Sequence, residues 1–212
     1  MTPTEMRNER LAQRLMKNLA RRHYESYYCK TAADIVGKVR ELIPEGSSVT
    51  WGGSMSIRDT GVTRMLKEGN YQVFDRDEVT TAEDKVRMYR KAFECDYYLA
   101  SVNAMSEDGI MVNIDGNGNR VAASVSGPKR VVYAIGRNKI VEGGIDDAIA
   151  RIKAKACPPN CVRLGKRTPC AATGKCADCD SPDRICKVTA IFDRRPTGTP
   201  TAVYVVDSDL GY

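Results

Sequence analysis

Four cysteines, Cys170, Cys176, Cys179 and Cys186, stand in the stretch TPCAATGKCADCDSPDRICK with the spacing C-x5-C-x2-C-x6-C. A C-x2-C pair lets two thiolates reach one metal from a single turn, and the flanking loops are long enough to fold back and bring the other two. Pro169, Gly174 and Pro182 supply the corners such loops need. Four thiolates suit an iron–sulfur cluster or a zinc ion. Zinc ribbons usually present two C-x2-C knuckles and this segment has one, so the spacing favours an iron–sulfur cluster, most simply 4Fe-4S. Zinc is the alternative, and metal-free thiols the plainest outcome. Cys157 and Cys161 lie just upstream and could also ligate, but a free cysteine is equally at home in a core, which is the reading adopted for them and for Cys29 and Cys95.

A second chemistry is written around glycines. Ser48 to Ile57 reads as a strand running through Gly52-Gly53-Ser54 into a helix, which would place free backbone amides at a helix N-terminus, where a phosphate or carboxylate binds well. Ser54 acting only as an N-cap explains the same residues. Asn103 to Lys139 alternates short β-like runs with glycine turns and keeps Asn103, Asn113, Asp115, Asn117, Asn119 and Asn138 beside apolar strands. Such residues serve turns by bonding to their own backbone. They would also line a polar cleft, with Arg120, Lys129 and Lys139 making it positive. The expected lining of a site for a small anionic metabolite is therefore Gly52, Gly53, Ser54, Asn103, Glu107, Asp115, Asn119, Arg120, Lys129, Asn138 and Lys139. Any general acid or base would come from Glu107, Asp108 or Asp115. The chain has no catalytic triad, zinc-protease helix or Walker loop, and Gly116-Asn-Gly-Asn-Arg is misspaced for dinucleotide binding. No residue is assigned a catalytic role, and His23, the single histidine, reads as an exposed polar residue.

The elements that must position these residues follow from periodicity and capping. Thr2, Pro3 and Glu5 open a helix over 2–22 with Leu11, Leu15 and Leu19 on one face. A strand over 24–30, a helix with Ile35, Val36, Val39, Leu42 and Ile43, and strands at 48–51, 71–74 and 97–102 come next, the last two separated by a helix capped by Thr80 with Glu83. Ile110 to Ile114, Val121 to Val125 and Arg130 to Ile135 read as strands. A helix from Ile145 to Ala156 is expected to break at Cys157-Pro-Pro-Asn-Cys161, and two final strands, Val188 to Phe192 and Ala202 to Val206, to meet at a hairpin-like turn. This order predicts an α/β fold with a mainly parallel sheet flanked by helices and a cysteine-rich metal-binding segment near the C-terminus. Ligands gather at the carboxyl ends of such strands. We expect the cysteine segment to return to that edge, with Arg163, Lys166, Arg167 and Lys175 adding positive charge.

At 212 residues the chain is expected to form one domain over 1–212, with an N-terminal helix over 1–22 and the cysteine-rich segment over 157–187. The formal charge of +6 is spread along the chain, which argues against a nucleic-acid partner. No apolar run approaches the ~20 residues of a membrane span. Arg7, Arg10 and Arg14 interrupt any export signal, so a cytoplasmic location is expected, where eight cysteines point to metal or redox chemistry in place of disulfides.

WGGSMS (51–56), NAMSEDGIMVNIDGNGNR (103–120), SGPKRVVYAIGRNKIV (126–141) and TPCAATGKCADCDSPDRIC (168–186) together resemble the lactate-utilization (LUD) domain family. The resemblance runs from about residue 5 to the end. It implies an α/β sheet sandwiched by helices, as in the wider superfamily of glucosamine-6-phosphate deaminase, ribose-5-phosphate isomerase and CoA transferases. It also implies electron transfer in organic-acid (lactate) oxidation alongside redox partner subunits. A non-redox binding or regulatory module stapled by zinc, or a transferase or isomerase of CoA esters or sugar phosphates, are the alternatives.

Overall fold

The structure, a computed structural model, describes residues 2–212. Six parallel strands form the main sheet in the order β1-β10-β7-β4-β2-β3: β1 (Glu25–Cys29), β2 (Ser48–Trp51), β3 (Gln72–Phe74), β4 (Tyr97–Ala100), β7 (Arg130–Gly136) and β10 (Thr201–Val206). The expected α/β architecture is therefore the observed one. Side chains alternate between its faces as a doubly covered sheet requires. Val131, Tyr133 and Ile135 pack with α1 (Pro3–Arg21), α5 (Ala82–Glu94) and α6 (Asn119–Val125), whereas Val132 and Ala134 pack with α2 (Ala32–Leu42), α3 (Met55–Asp59) and α4 (Val62–Glu68).

A second, smaller sheet is built from β8 (Ile140–Val141), β5 (Ala104–Ser106), β6 (Met111–Asp115) and β9 (Val188–Phe192), in that order. The two closing strands therefore do not make a hairpin: β9 runs antiparallel to β6, while β10 enters the main sheet between β1 and β7. Pro196 does turn the chain between them, its carbonyl accepting Thr199 N–H at 3.2 Å.

Three further expectations change. Val121 to Val125 is helix, not strand, despite its valines. Gly118 enters with φ +77°, and the Asp115 carboxylate accepts the N–H groups of Asn117 before the helix and of Arg120 and Val121 within it, so two of the first-turn donors that a helix leaves unpaired are already satisfied. The Pro-Pro pair does not break the last long helix either. α7 (Ile145–Arg151) passes through a π-helical turn, Ile152–Ala156, directly into α8 (Cys157–Arg163). Pro158 and Pro159 have no N–H for the carbonyls of Ala154 and Lys155, and the wider turn absorbs that mismatch before the prolines start a fresh helical segment. A short helix, α9 (Pro169–Thr173), then opens the cysteine segment.

The capping box at Thr2 and Glu5 forms as expected. The N-cap of α5, however, is Thr81, whose hydroxyl accepts Asp84 N–H, one residue beyond the expected pair and without the reciprocal half of a capping box; this frame keeps both Glu83 and Asp84 in the positively polarised first turn. Thr81→Ala should cost about 1 kcal/mol and Thr80→Ala within about 0.5 kcal/mol of nothing, compared by urea unfolding midpoints.

Candidate functional site

The connections of β2 and β4 leave their adjacent strands in opposite directions, β2 outward to β3 and β4 inward to β7. Such a reversal opens a crevice beyond the carboxyl ends of the strands. A cleft of about 330 Å³ lies there. Gly53 and Ser54 enter it from behind β2, Arg76 and Asp77 from behind β3, Ser101 to Asn103 from behind β4 and Lys139 from behind β7. Asp115, Asn117, Asn119 and Arg120 line it as well, together with Cys157, Asn160 and Arg163 of α8.

Seven of the eleven sequence-derived ligand candidates thus meet in one place. Gly52 sits directly beneath: a Cβ there would stand 3.0 Å from the Tyr98 hydroxyl and 3.1 Å from the Arg120 side chain, so its bareness lets Arg120 lie flat. The other three are elsewhere. Lys129 precedes β7 and pairs with Asp96 at 2.6 Å, at the opposite end of the sheet. Glu107 faces a separate cavity of about 210 Å³ under α1, 4.0 Å from Arg14. Asn138 binds the C-terminal tail, accepting from Leu210 N–H and donating to the Gly211 carbonyl. Position along the chain suggested all three, but each lies on the wrong side of a strand or turn. Asp108 holds Arg22, the residue that follows α1, through its carbonyl and also lies away from the cleft.

Turn chemistry and cleft lining divide the asparagines between them. Asn113 is buried and accepts Asn103 N–H, and Asn103 Oδ1 accepts Ile114 N–H at 2.9 Å, which fixes the crossing of β4 into the small sheet. Asp115 is consumed in capping α6 and lies 3.5 Å from Arg120 Nε. Asn117 and Asn119 face the cleft. Ser54 Oγ accepts Ile57 N–H at 3.3 Å, so the plain N-cap role is filled, and α3 behind it is only five residues long.

Positive charge dominates the walls. Asp77 answers Arg58 and Arg76, and Asp115 answers Arg120, but among the described residues Arg163, Lys166 and Lys139 have no carboxylate partner. Burial pushes the Arg163 pKa down; Tyr212 opposes that shift, and Arg58, Arg76 and Arg120 add to it. Lys139, which composition shows only as one more cation, is 5% exposed. Its Nζ donates to Ser56 Oγ at 2.6 Å, Ser101 Oγ at 3.1 Å and the Val102 carbonyl at 3.1 Å. Burial first, then Arg151 and Arg120, push its ammonium down to about 7, with Asp59 opposing.

The cysteine segment returns to this edge. It is held by the helix that ends in α8 and by β9, which pairs with β6 from Asp115 onward, so Pro182 to Ile185 form part of the cleft wall. Of its basic residues Arg163 and Lys166 line the cleft, whereas Arg167 points outward, 93% exposed. Cys161 and Cys170 are buried with their sulfurs 3.6 Å apart. Burial, followed by the neighbouring thiols of Cys186, Cys161, Cys170 and Cys176, pushes Cys157 up to about 12. Cys179 engages the segment through its carbonyl, which accepts from Arg184. No cysteine is in a disulfide. As the side chains stand, no three His, Cys, Asp or Glu among the described residues form a group that could hold a metal ion.

The LUD domain model matches residues 12–206, and the chain belongs to the LUD domain family. No curated protein matches it. Among solved structures, the crystal structure of a DUF162 family protein from Deinococcus radiodurans is similar in fold, with a TM-score of 0.55, 11% identity, and coverage of 93% of this chain and 97% of that one. No helix among the described residues is long and apolar enough to cross a membrane.

The displaced Lys139 pKa fixes a pH signature. Between about 7 and the ordinary value of 10.5 the unfolded chain binds the proton that the folded chain has released, so stability rises with pH across that window and the cost of the buried charge is constant below it. Lys139→Met removes the term. The unfolding free energy of the wild type minus that of the variant should therefore climb from pH 7 to pH 10, measured by urea titration; a flat difference would show that the amine is ordinarily solvated.

Proposed function

We propose that this LUD-domain protein binds a small organic anion, a carboxylate or phosphate-bearing metabolite, in the crevice, as a redox or accessory component of organic-acid (lactate) utilization. The observation that carries the anion site is that Arg163 and Lys166, which have no carboxylate partner among the described residues, line one crevice with Arg120. A cation-lined cleft with partly shielded walls holds anions more tightly than an open surface does. Isothermal titration with lactate, pyruvate and inorganic phosphate tests it. Arg163→Gln and Arg120→Gln should each weaken the bound anion about tenfold, the loss of one charge-assisted hydrogen bond of ~1.5 kcal/mol. A wild-type protein that binds none of the three would overturn the reading.

The second part of the proposal is an iron–sulfur cluster at the cleft wall. Its support is the donor chemistry: free thiols from two segments collect in one half-buried place, and the pair at 3.6 Å is close enough to share a metal centre. The residues that would hold it are Cys170, Cys176, Cys179 and Cys186, with Cys157 and Cys161 of α8 beside them as further donors. When bound, such a cluster supplies one-electron transfer. After anaerobic purification, iron and acid-labile sulfide should be present in equal amounts, falling in Cys170→Ser and Cys176→Ser and persisting in Cys95→Ser. Zinc without iron would replace the redox role by that of a structural staple.

The same guanidinium groups suit a phosphate as well as a carboxylate, and this favours, as the second reading, a transferase or isomerase of CoA esters or sugar phosphates like those of the wider superfamily. Phosphate binding with no affinity for lactate or pyruvate would select it.

A further inference from the structure

The crevice floor carries a buried primary amine that neither anion capture nor a metal centre needs. Lys139 follows β7 on the one-turn 3₁₀ helix Arg137–Lys139. That turn is clamped from outside: the Asn138 carbonyl accepts from Arg151 Nε at 3.0 Å and Nη2 at 2.7 Å, and its side chain holds Leu210 and Gly211. The amine therefore has little freedom to swing out to water. Its partners are two serine hydroxyls and a carbonyl, all neutral, so nothing compensates a charge on it. The charged groups around it are Arg120, Arg151 and Asp59, and Asp59 is occupied by the Gly211 N–H at 2.8 Å. A structural lysine is ordinarily kept charged by a carboxylate. This one has no carboxylate beside it and lies inside a cleft whose rim is cationic, so its proton is more easily lost than that of a solvated lysine.

We propose that Lys139 is a catalytic residue that forms a Schiff base with a carbonyl compound whose carboxylate or phosphate is held by Arg120 and Arg163. This inference rests on the crevice being the anion site. A neutral amine with an available lone pair attacks a carbonyl carbon, and an ammonium cannot. In the step, the lone pair of Nζ forms the C–N bond while the carbonyl π pair moves to oxygen. Two protons leave nitrogen and reach that oxygen, which departs as water, so the amine and carbonyl become an imine and one water with no oxidant or reductant. Ser56 and Ser101, both within hydrogen-bond reach of Nζ, are placed to relay those protons. The anion on Arg120 and Arg163 orients the carbonyl; the imine is neutral as formed, and once its nitrogen takes up a proton from solvent its carbon withdraws electrons from the bond beside it.

The test is reductive trapping. The anaerobically purified full chain is incubated with sodium cyanoborohydride and either pyruvate, a carbonyl carboxylate, or dihydroxyacetone phosphate, a carbonyl phosphate, and digested for mass spectrometry. One peptide, that containing Lys139, should gain the mass of the probe less one oxygen atom, at least tenfold above any surface lysine, and the probe that labels it identifies the anionic group. Trapping should rise as pH passes through about 7, fall in Arg163→Gln, and be lost in Lys139→Arg, which retains a cation without a nucleophile. Labelling at the level of surface lysines, in a protein shown by calorimetry to bind the same anion, overturns the Schiff base and leaves the anion site standing. Absence of both binding and labelling overturns the two together. Because the readout is the site labelled in the wild-type chain, it does not depend on any variant folding.

Discussion

One guanidinium ties the crevice together. Arg151, on the last turn of α7, donates to the carbonyls of Asn138, Asn103 and Tyr212, three points far apart in sequence that follow β7, β4 and β10. Carbonyls past the end of a strand have lost their ladder partners, and a buried one left unpaired costs about 1–3 kcal/mol. Arg151 satisfies three at once with its planar array of donors, which a lysine could not reproduce. Burial lowers its pKa, with Asp209 pulling the other way, so the clamp itself is held in an environment that disfavours charge. Asn103 and Lys139 are fixed relative to each other through this one side chain.

Two kinds of demand then compete in a single cleft. The arginines make it attractive to anions, while burial first, and then Arg151 and Arg120, lower the pKa of Lys139. The thiols on the α8 side are pushed in the opposite direction by burial and by one another. Both effects follow from low local dielectric with like groups crowded together.

The sequence made the sheet and most of the helices readable because their signals are local. Thr2 with Glu5 and the leucine stripe of α1 act within a turn or two of themselves. The α6 helix was not readable, since its first turn is paid for by Asp115, a residue that looks like part of a strand end. The prolines at 158 and 159 were read as a stop because a breaker is usually a breaker; that the preceding turn could widen instead depends on packing against β5 and β6. At the site, glycine and asparagine patterns marked the crevice but could not separate Asn103 from Asn138, whose carboxamides differ only in which way the tertiary structure turns them. Lys139 was legible as a cation of the cleft, but not as a buried one. Its burial depends on Ser56 and Ser101, one from each side of the switch point, and no spacing rule links them.

The π-helical turn from Ile152 to Ala156 joins the clamp to the thiols as one rod: Arg151 lies just before it, Cys157 and Cys161 just after. Such a turn is an α-helix with a residue to spare. Each residue added to or removed from a helix rotates everything beyond it by about 100° around the axis. The spare residue thus sets the phase between the two halves of the rod, and it is this phase that turns Cys157 and Arg163 toward the cleft while Arg151 reaches the strand ends. A chain one residue shorter here could keep every side chain named above and still point its sulfurs into solvent.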